Sequence, residues 1–254
     1  MRLPISVFII AQNEGDRIAT TIASVKDWVQ EVIVVDSGSG DNTVEVAEAL
    51  GARTFFHPWQ GYGLQKRFAE DQCSQRWLMN LDADEEVTPA LAAEIAALFA
   101  SGLPAQAGYI LRIRDLLPGE AQLAPMAHTN FVLRLYDREC GRFSDSPVHD
   151  SVILTRGRAV MLQAPVLHRS FRNVSHAIEK MNSYTGAQAR DMHARGKKAP
   201  GSARLLLEFP FAFLKVYVLR GYALRGRRGF IYAMHYAFGR FMRLAKYVEL
   251  KNKL

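Results

Sequence analysis

The segment Trp77-Leu78-Met79-Asn80-Leu81-Asp82-Ala83-Asp84-Glu85-Glu86 joins an apolar run to a dense cluster of acids. Residues 77–81 are typical of a buried strand, and residues two apart in an extended chain point the same way. We therefore expect Asp82 and Asp84 to project together from the carboxyl end of that strand, where open α/β sheets bind ligands. Because hard divalent cations prefer oxygen ligands, the pattern favours a site for a metal-bound diphosphate. The alternative is a solvated acidic turn that precedes a helix.

Strand and helix patterns alternate around this segment. The predicted strands are 5–10, 31–36, 52–57 and 77–81, and the predicted helices are 16–28, 43–50, 64–73 and 89–100. This alternation predicts an α/β fold, with a parallel sheet and right-handed crossovers. Core packing does not require polar residues at strand ends, but a ligand would. Such residues follow three of the strands: Asn13, Glu14, Asp36, Asp82 and Asp84.

Length and composition allow one large domain, or one domain with an appendage, because the chain has 254 residues of which 49% are apolar. Cys73 and Cys140 are too few for a disulfide framework and lack metal-site spacing, so we expect buried free thiols in a reducing compartment. The N-terminus runs into a strand pattern rather than a signal peptide. No charge-free run approaches the roughly 18 residues of a membrane span.

The later part of the chain contains several residues with two interpretations. Lys66, near a helix start, could meet a phosphate or be a surface lysine. Asp150, at the start of a strand pattern, could be a general base or an ordinary turn acid. His168 could contact a metal or a phosphate, or be structural. The glycine-containing segments lack the sequence patterns of dinucleotide-binding and P-loop sites. The sequence therefore argues against NAD binding and against nucleotide binding by a P-loop.

The C-terminal segment is basic and aromatic. Residues 201–254 carry 11 Lys and Arg against two Asp and Glu, so this segment holds more than the whole net charge of +7. In its last helix an apolar stripe opposes a basic one; the stripes are Phe230, Met234, Phe238, Phe241 and Ala245, and Arg240, Arg243 and Lys246. This pattern is typical of a helix lying in a membrane interface. The alternative is packing on the body or on a second subunit. The dense aliphatic content argues against nucleic-acid binding.

Four motifs resemble those of glycosyltransferase family 2, which has the GT-A fold. They are residues 9–14 (IIAQNE), 34–43 (VVDSGSGDNT), 63–66 (GLQK) and 81–86 (LDADEE). Residues 147–150 (PVHD), the long helix predicted over 173–195 and the basic aromatic tail are similar to one subgroup. That subgroup adds β-linked glucose to heptose in the inner core of bacterial lipopolysaccharide. Its members commonly carry Glu where this chain has Asp150.

The resemblance implies roles for individual residues. Asp82 and Asp84 would be the Asp-x-Asp motif that touches ribose and a Mg2+ or Mn2+ ion. Asp150 would be the catalytic base, with His149 beside it. The nucleotide-sugar would contact the following residues: Ala11, Asn13, Glu14, Asp36, Ser37, Lys66, Asp82 and His168.

The resulting hypothesis is inverting transfer of glucose from UDP-glucose to a lipopolysaccharide core acceptor. The enzyme would be cytoplasmic and would attach peripherally, through its C-terminal tail, to the anionic inner face of the cell membrane. Residues 1–198 would form the glycosyltransferase domain, with 1–100 binding the nucleotide-sugar and 101–198 facing the acceptor, and 199–254 would form the membrane-associating tail. The alternatives are transfer to another lipid-linked or envelope glycan, and a non-catalytic nucleotide-sugar-binding scaffold at the membrane. A homo-oligomer built by the aromatic tail also stays open.

Overall fold

A computed structural model describes residues 2–124, 126–146 and 150–252. The chain forms two compact units: unit 1 comprises residues 1–114 and 129–168, and unit 2 comprises residues 115–128 and 169–254. This division does not coincide with the boundary expected at residue 198, because the helix Val174–Ala194 belongs to unit 2. The functional division into donor and acceptor halves stays a prediction.

Unit 1 contains ten strands and four helices among the described residues. The strands are β1 (Leu3–Ala11), β2 (Val29–Asp36), β3 (Arg53–Phe56), β4 (Trp77–Asp82), β5 (Glu85–Val87), β6 (Gly108–Asp115), β7 (Thr129–Asp137), β8 (Gly141–Phe143), β9 (Val152–Leu154) and β10 (Ala159–His168). The helices are α1 (Ile18–Ala23), α2 (Thr43–Ala49), α3 (Tyr62–Asp71) and α4 (Pro89–Leu98). Unit 2 contains α5 (Val174–Ala194), α6 (Ser202–Leu214), a π-helical turn (Lys215–Leu219), a 3₁₀ turn (Tyr222–Arg225) and α7 (Gly226–Asn252).

The main sheet has eight strands in the order β3-β2-β1-β4-β7-β6-β10-β5. The strands β3, β2, β1 and β4 pair in parallel, whereas β7 pairs antiparallel with β4 and β6, and β5 pairs antiparallel with β10. The predicted α/β class is therefore confirmed, and its parallel part is the half of the sheet built by the first 82 residues. The short pair of β8 and β9 forms a second sheet.

The central strand β1 is buried on both faces, as its nearly continuous apolar run predicts. Ile5, Val7 and Ile9 pack into one core cluster, and Phe8 packs into a second cluster on the other face. Successive side chains of an extended strand point to opposite faces, so one strand supplies both clusters. This double burial fixes the strand and positions the polar loop that follows it.

The C-terminal helices expected from the sequence are confirmed. The basic side of α7, however, contacts the neighbouring helices α5 and α6. Arg240 Nη2 lies 2.7 Å from Glu208 Oε1 on α6, and Lys246 Nζ donates to the carbonyl oxygen of Asn182 on α5 at 2.6 Å. Phe230 and Phe238 of the apolar stripe are about half exposed. Among the described residues, no helix is both long and apolar enough to cross a bilayer. The basic stripe therefore serves contacts within unit 2.

Both cysteines are free thiols. Cys73 is buried, and this burial raises the pKa of its thiol to about 12. Cys140 is partly exposed, so the expectation that both thiols are buried is wrong for Cys140. Its position just after β7, at the turn into β8, explains this exposure.

Candidate active site

The carboxyl ends of three parallel strands meet at the edge where the sequence predicted a ligand. Ala11 at the end of β1 is in register with Asp36 at the end of β2. Ile10 of β1 is in register with Asp82 at the end of β4. Because backbone pairing fixes these positions, the polar loops that follow the strands all start from one edge of the sheet.

Asp36 holds the loop after β2 together. Its Oδ2 accepts hydrogen bonds from the backbone N–H groups of Gly38 at 2.8 Å and Ser39 at 2.9 Å. The Ser39 hydroxyl accepts from the N–H of Asn13, and Asn13 Oδ1 accepts from the N–H of Gly40, both at 2.8 Å. Asn13 has a φ of 56°, in the left-handed region that asparagine tolerates. The loops after β1 and β2 therefore form one hydrogen-bonded unit.

Ala11 and Ser37 are tied to the beginning of α3. The N–H of Ser37 donates to the carbonyl oxygen of Ala11 at 3.0 Å. The Ser37 hydroxyl accepts from Gln65 Nε2 at 2.9 Å, and the same nitrogen donates to the carbonyl oxygen of His57 at 2.9 Å. Gln65 precedes Lys66, so these contacts position the lysine relative to the strand ends.

Asp84 lies between an arginine and a histidine. Arg17 Nη1 is 3.5 Å from Asp84 Oδ2, and His168 Nε2 is 3.5 Å from Asp84 Oδ1. Burial raises the pKa of Asp84, but hydrogen bonding with His168 and the charge of Arg17 outweigh it, so the pKa lies below its usual value. Arg17 also donates through Nη2 to Glu14 Oε1 at 2.9 Å. Glu14, Arg17, Asp84 and His168 thus form one continuous chain of polar contacts.

The position of His168 comes from a strand that the sequence did not predict. The segment after Asp84 was expected to lead into a helix, but it forms β5 and pairs with the end of β10, which places His168 opposite Glu85. Glu85 is 2% exposed, so the alternative of a solvated acidic turn is wrong at this residue. Backbone pairing therefore brings His168 to Asp84 from a point more than eighty residues later in the chain.

Lys66 is buried and bridges two carboxylates. Its Nζ donates to Asp82 Oδ1 at 3.0 Å and to Asp150 Oδ2 at 2.5 Å. Because Lys66 is 1% exposed, the alternative of a surface lysine is wrong. Its ammonium group also lies 5.4 Å from the centre of the Phe143 ring. Asp150, the expected base, is therefore held beside Asp82 by a shared cation.

Arg134 was not identified from the sequence, although it belongs to this cluster. Its Nη2 lies 2.8 Å from Asp82 Oδ2 and 3.4 Å from Glu85 Oε1, and its Nη1 donates to Asn80 Oδ1. The available signal was an arginine inside the apolar strand pattern of β7. Such a charge is rarely buried without a partner. The sequence contains no indication that the partner is Asp82, because β4 and β7 are far apart along the chain.

The protonation state of Glu85 determines the net charge of this cluster. Burial raises the pKa of Glu85 to about 7, against the opposing charge of Arg134. For Asp82, burial is outweighed by Arg134 and Lys66, which hold its pKa far below the usual range. When Glu85 carries a proton, the two cations face two carboxylates, those of Asp82 and Asp150. The two positive charges then have two carboxylates as partners, each about one-third exposed.

The residues present fit a divalent cation at Asp84. Its carboxylate and the His168 imidazole supply oxygen and nitrogen donors, which Mn2+ accepts, and Mg2+ is usually held by one or two carboxylates with substrate phosphates. The oxygens of Asp82 are in ion pairs with Lys66 and Arg134, so Asp84 is the better ligand. In the described ranges no cluster of three or more His, Cys, Asp or Glu is arranged to hold a metal. The remaining ligands would come from the substrate.

The segment that leads towards Asp150 packs closely on α3. The N–H of Gly63 donates to the carbonyl oxygen of Ser146 at 3.1 Å. A Cβ at position 63 would lie 2.4 Å from that oxygen and 2.5 Å from the carbonyl oxygen of Ser144, so only glycine permits this approach. His149, the second expected catalytic residue, lies outside the described residues.

This chain is similar in sequence to a protein-family model and to curated bacterial proteins, and it also matches solved structures. The family model described as glycosyl transferase family 2 matches residues 6–152. A protein of Rickettsia typhi named an uncharacterized glycosyltransferase is 38% identical over 98% of this chain and 88% of its own. The lipopolysaccharide core biosynthesis glycosyltransferase LpsC of Rhizobium meliloti is 32% identical over 96% of this chain and 92% of its own. The solved glucosyl-3-phosphoglycerate synthase of Mycobacterium tuberculosis, in complex with Mn2+, UDP-glucose and phosphoglyceric acid, is 26% identical over 46% of this chain and 45% of that one, with a TM-score of 0.35.

Proposed function

The chain belongs to glycosyltransferase family 2, and from this membership we propose that it transfers glucose from UDP-glucose to a lipopolysaccharide inner-core heptose, with inversion at the sugar carbon. The observation that carries the proposal is the placement of Asp84 with His168, beside the cluster of Asp82, Lys66 and Asp150. The acceptor class is supported by the similarity to LpsC along almost the whole chain.

The donor occupies the edge formed by the ends of β1, β2 and β4 in this proposal. The joined loops around Asn13 and Asp36 hold the nucleoside, and Asp82 contacts the ribose. A Mg2+ or Mn2+ ion bound by Asp84 and His168 would stabilise negative charge on the diphosphate. The guanidinium group of Arg17 lies beside Asp84 and would also stabilise the negative charge of the diphosphate.

The transfer step is a single displacement. The acceptor hydroxyl oxygen forms a bond to the anomeric carbon while the bond to the diphosphate oxygen breaks, and the bonding electrons leave with UDP. Asp150 accepts the proton of the attacking hydroxyl, which a carboxylate does when it lies within hydrogen-bond reach. Since Lys66 engages Oδ2 of Asp150, the proton goes to Oδ1. One displacement inverts the anomeric configuration and needs no nucleophile from the protein.

Unit 2 provides the attachment to the membrane in this proposal. It has a group of large apolar side chains that are each more than half exposed: Leu206, Leu207, Phe211, Leu214, Val218, Leu219 and Leu224. Exposed apolar clusters mark interaction surfaces. Insertion of these side chains into the interface would confine the search for a lipid-anchored acceptor to the membrane surface.

The test combines donor binding with the stereochemistry of transfer. We expect UDP-glucose with Mn2+ to raise the melting temperature, because a ligand at about 100 times its Kd stabilises by about 2.7 kcal/mol, or roughly 5–10 °C for a chain of this size. GDP-mannose and UDP-galactose serve as controls. With a heptose-terminated core acceptor, NMR of the product should show a β-linked glucose. A product with retained configuration, or no response to any nucleotide-sugar, would refute the proposal.

A further inference from the structure

Unit 2 contains a partly open cavity of about 330 Å3 whose wall combines aromatic rings with cations. The cationic side chains are those of Lys180, Arg220, Arg240 and Arg243, and Asp115 is the single acid among the described lining residues. We refer to this space as the cationic cavity. All of its described lining residues belong to unit 2, and none of them is a residue expected to contact the nucleotide-sugar.

Two of these cations, Lys180 and Arg220, have no acidic partner among the described residues. Lys180 Nζ donates to the carbonyl oxygen and the hydroxyl of Ser170, both at 3.3 Å, and these oxygens are neutral. The Arg220 guanidinium lies 5.5 Å from the centre of the Tyr236 ring. Within the described ranges, no carboxylate lies at ion-pair distance from Lys180 or Arg220. In the part of the chain that the structure describes, neither positive charge is therefore neutralised by a direct ion pair.

The other two cations share one carboxylate. Glu208 Oε1 lies 2.7 Å from Arg240 and 3.8 Å from Arg243, and Arg204 approaches the same carboxylate at 3.9 Å. The Nε of Arg243 is buried and has no hydrogen-bond partner in the part of the chain that the structure describes. Burial and the neighbouring charge of Arg240 lower the pKa of Arg243. An anion in the cavity would supply a second negative charge for Arg240 and Arg243 and a hydrogen-bond acceptor for Nε of Arg243.

An apolar groove of about 430 Å3 adjoins the cationic cavity. The two spaces share Met181, Tyr232 and His235 as wall residues, so they are neighbours within unit 2. Other wall residues of the groove are almost all apolar, among them Ile178 and Phe238, which are about half exposed. A chain of methylene groups would gain most from such a surface because it removes apolar area from water.

We propose that unit 2 binds one phospholipid of net negative charge, with the phosphate in the cationic cavity and an acyl chain in the apolar groove. The adjacency of the two spaces selects an amphiphile, since a free anion would use only the cavity and a neutral chain only the groove. Arginine pairs with phosphate through two parallel hydrogen bonds, which matches the shared and incompletely satisfied guanidinium groups. This site requires neither sugar donor nor transfer, so its test is independent of the proposed enzyme activity.

The first experiment measures binding of a soluble lipid to the whole chain. Dihexanoyl phosphatidylglycerol, kept below its micellar concentration, is titrated in a calorimeter, and native mass spectrometry counts the bound molecules. We expect one molecule per chain. Dihexanoyl phosphatidylcholine and inorganic phosphate should each bind at least about tenfold more weakly, a difference of about 1.4 kcal/mol. Equal binding of the phosphatidylcholine would overturn the role of the cations, and equal binding of inorganic phosphate would overturn the role of the groove.

The second experiment assigns the two halves of the site. Lys180→Gln and Arg243→Gln should each weaken phosphatidylglycerol binding about tenfold, the effect of losing one charge-assisted contact. Ile178→Asn should weaken it by a similar factor while leaving the weak binding of inorganic phosphate unchanged. Arg227→Gln is the matched control, because Arg227 is exposed on α7 and lines neither space. If Arg243→Gln unfolds the protein, Lys180→Gln decides. Binding that resists both Lys180→Gln and Ile178→Asn would refute the site.

Discussion

The ammonium group of Lys66 lies 2.5 Å from Oδ2 of Asp150. The expected base is thus already engaged by a buried cation, and the same cation lies 3.0 Å from Asp82. The two short contacts place the carboxylates of Asp82 and Asp150 on either side of one ammonium group. The ion pair also restricts the carboxylate to one orientation. In the proposed mechanism, Lys66 is therefore a positioning residue between Asp82 and the expected base, Asp150.

Replacing Lys66 with Met should impair both folding and transfer, because it leaves Asp82 and Asp150 to repel one another. We expect a loss of about 1–3 kcal/mol of unfolding free energy, less than for a fully buried pair because both carboxylates are partly exposed. We expect kcat/KM for transfer to fall at least about tenfold. Urea denaturation and initial rates measure the two effects. Arg67→Met is the control, since its partner Asp145 is exposed and 3.4 Å away. Unchanged rates in the Lys66 variant would contradict the positioning role.

Replacing Asp84 with Asn should remove the principal ligand for the divalent cation. We expect kcat/KM to fall about 100-fold, equivalent to about 2.7 kcal/mol of transition-state stabilisation. The Mn2+-dependent part of the thermal shift with UDP-glucose should also disappear. Asp27→Asn alters an exposed acid before β2 and should change neither quantity. If the Asp84 variant keeps its Mn2+ response, the metal lies elsewhere.

Stability should depend on pH through Glu85. Burial raises its pKa to about 7 in the folded protein, from a usual value of 4.5. The folded state therefore binds this proton more tightly, and the resulting stability is complete below pH 4.5 and is lost as the pH rises through 7. We expect the unfolding free energy to fall by about 1–3 kcal/mol between about pH 5 and pH 8 from this group.

The variant Glu85→Gln mimics the neutral carboxyl and should remove that fall. Urea unfolding at three pH values, compared with the wild type, isolates the contribution of Glu85 from other titrating groups. Glu45→Gln on the exposed side of α2 should leave the pH dependence unchanged. A Glu85→Gln profile parallel to that of the wild type would show that Glu85 is ionised in the folded protein.

Membrane association should depend on the exposed apolar side chains of unit 2. The triple variant Leu206→Ser, Phe211→Ser, Leu219→Ser removes three of them and should weaken co-sedimentation with anionic vesicles at least about tenfold. Folding should be retained because all three are more than 60% exposed. The matched control replaces Phe56, Leu103 and Phe131, which are exposed apolar residues of unit 1. Equal losses in the two triple variants would argue against a specific membrane surface.

Local patterns were sufficient to predict the parallel half of the sheet. Each of β1, β2 and β4 is an apolar run that ends at a polar loop, so the sequence also predicted which residues would meet at the carboxyl edge. The rest of the site depends on pairings between distant segments. Arg134 reaches Asp82 because β7 pairs antiparallel with β4, and His168 reaches Asp84 because β10 pairs with β5.

The orientation of α7 could not be predicted from the sequence either. Its periodicity distinguishes an apolar stripe from a basic one, but periodicity does not say which stripe faces a neighbouring helix. In the structure Arg240 and Lys246 contact α6 and α5, while Phe230 and Phe238 remain about half exposed. Arg240 and Arg243 pair with Glu208 and line the cationic cavity, so this side of α7 is not the free surface that the sequence predicted.

The pairing of β5 with β10 has a consequence for protein engineering. Residues 82–87 look like a linear motif that could be grafted onto another scaffold, yet His168 is aligned to Glu85 only by the antiparallel register with residues 166–168. Shifting that register by one residue would turn His168 to the opposite face of the sheet. A transplant must therefore carry both strands, and an insertion in either one should disable the graft even when every acidic residue is kept.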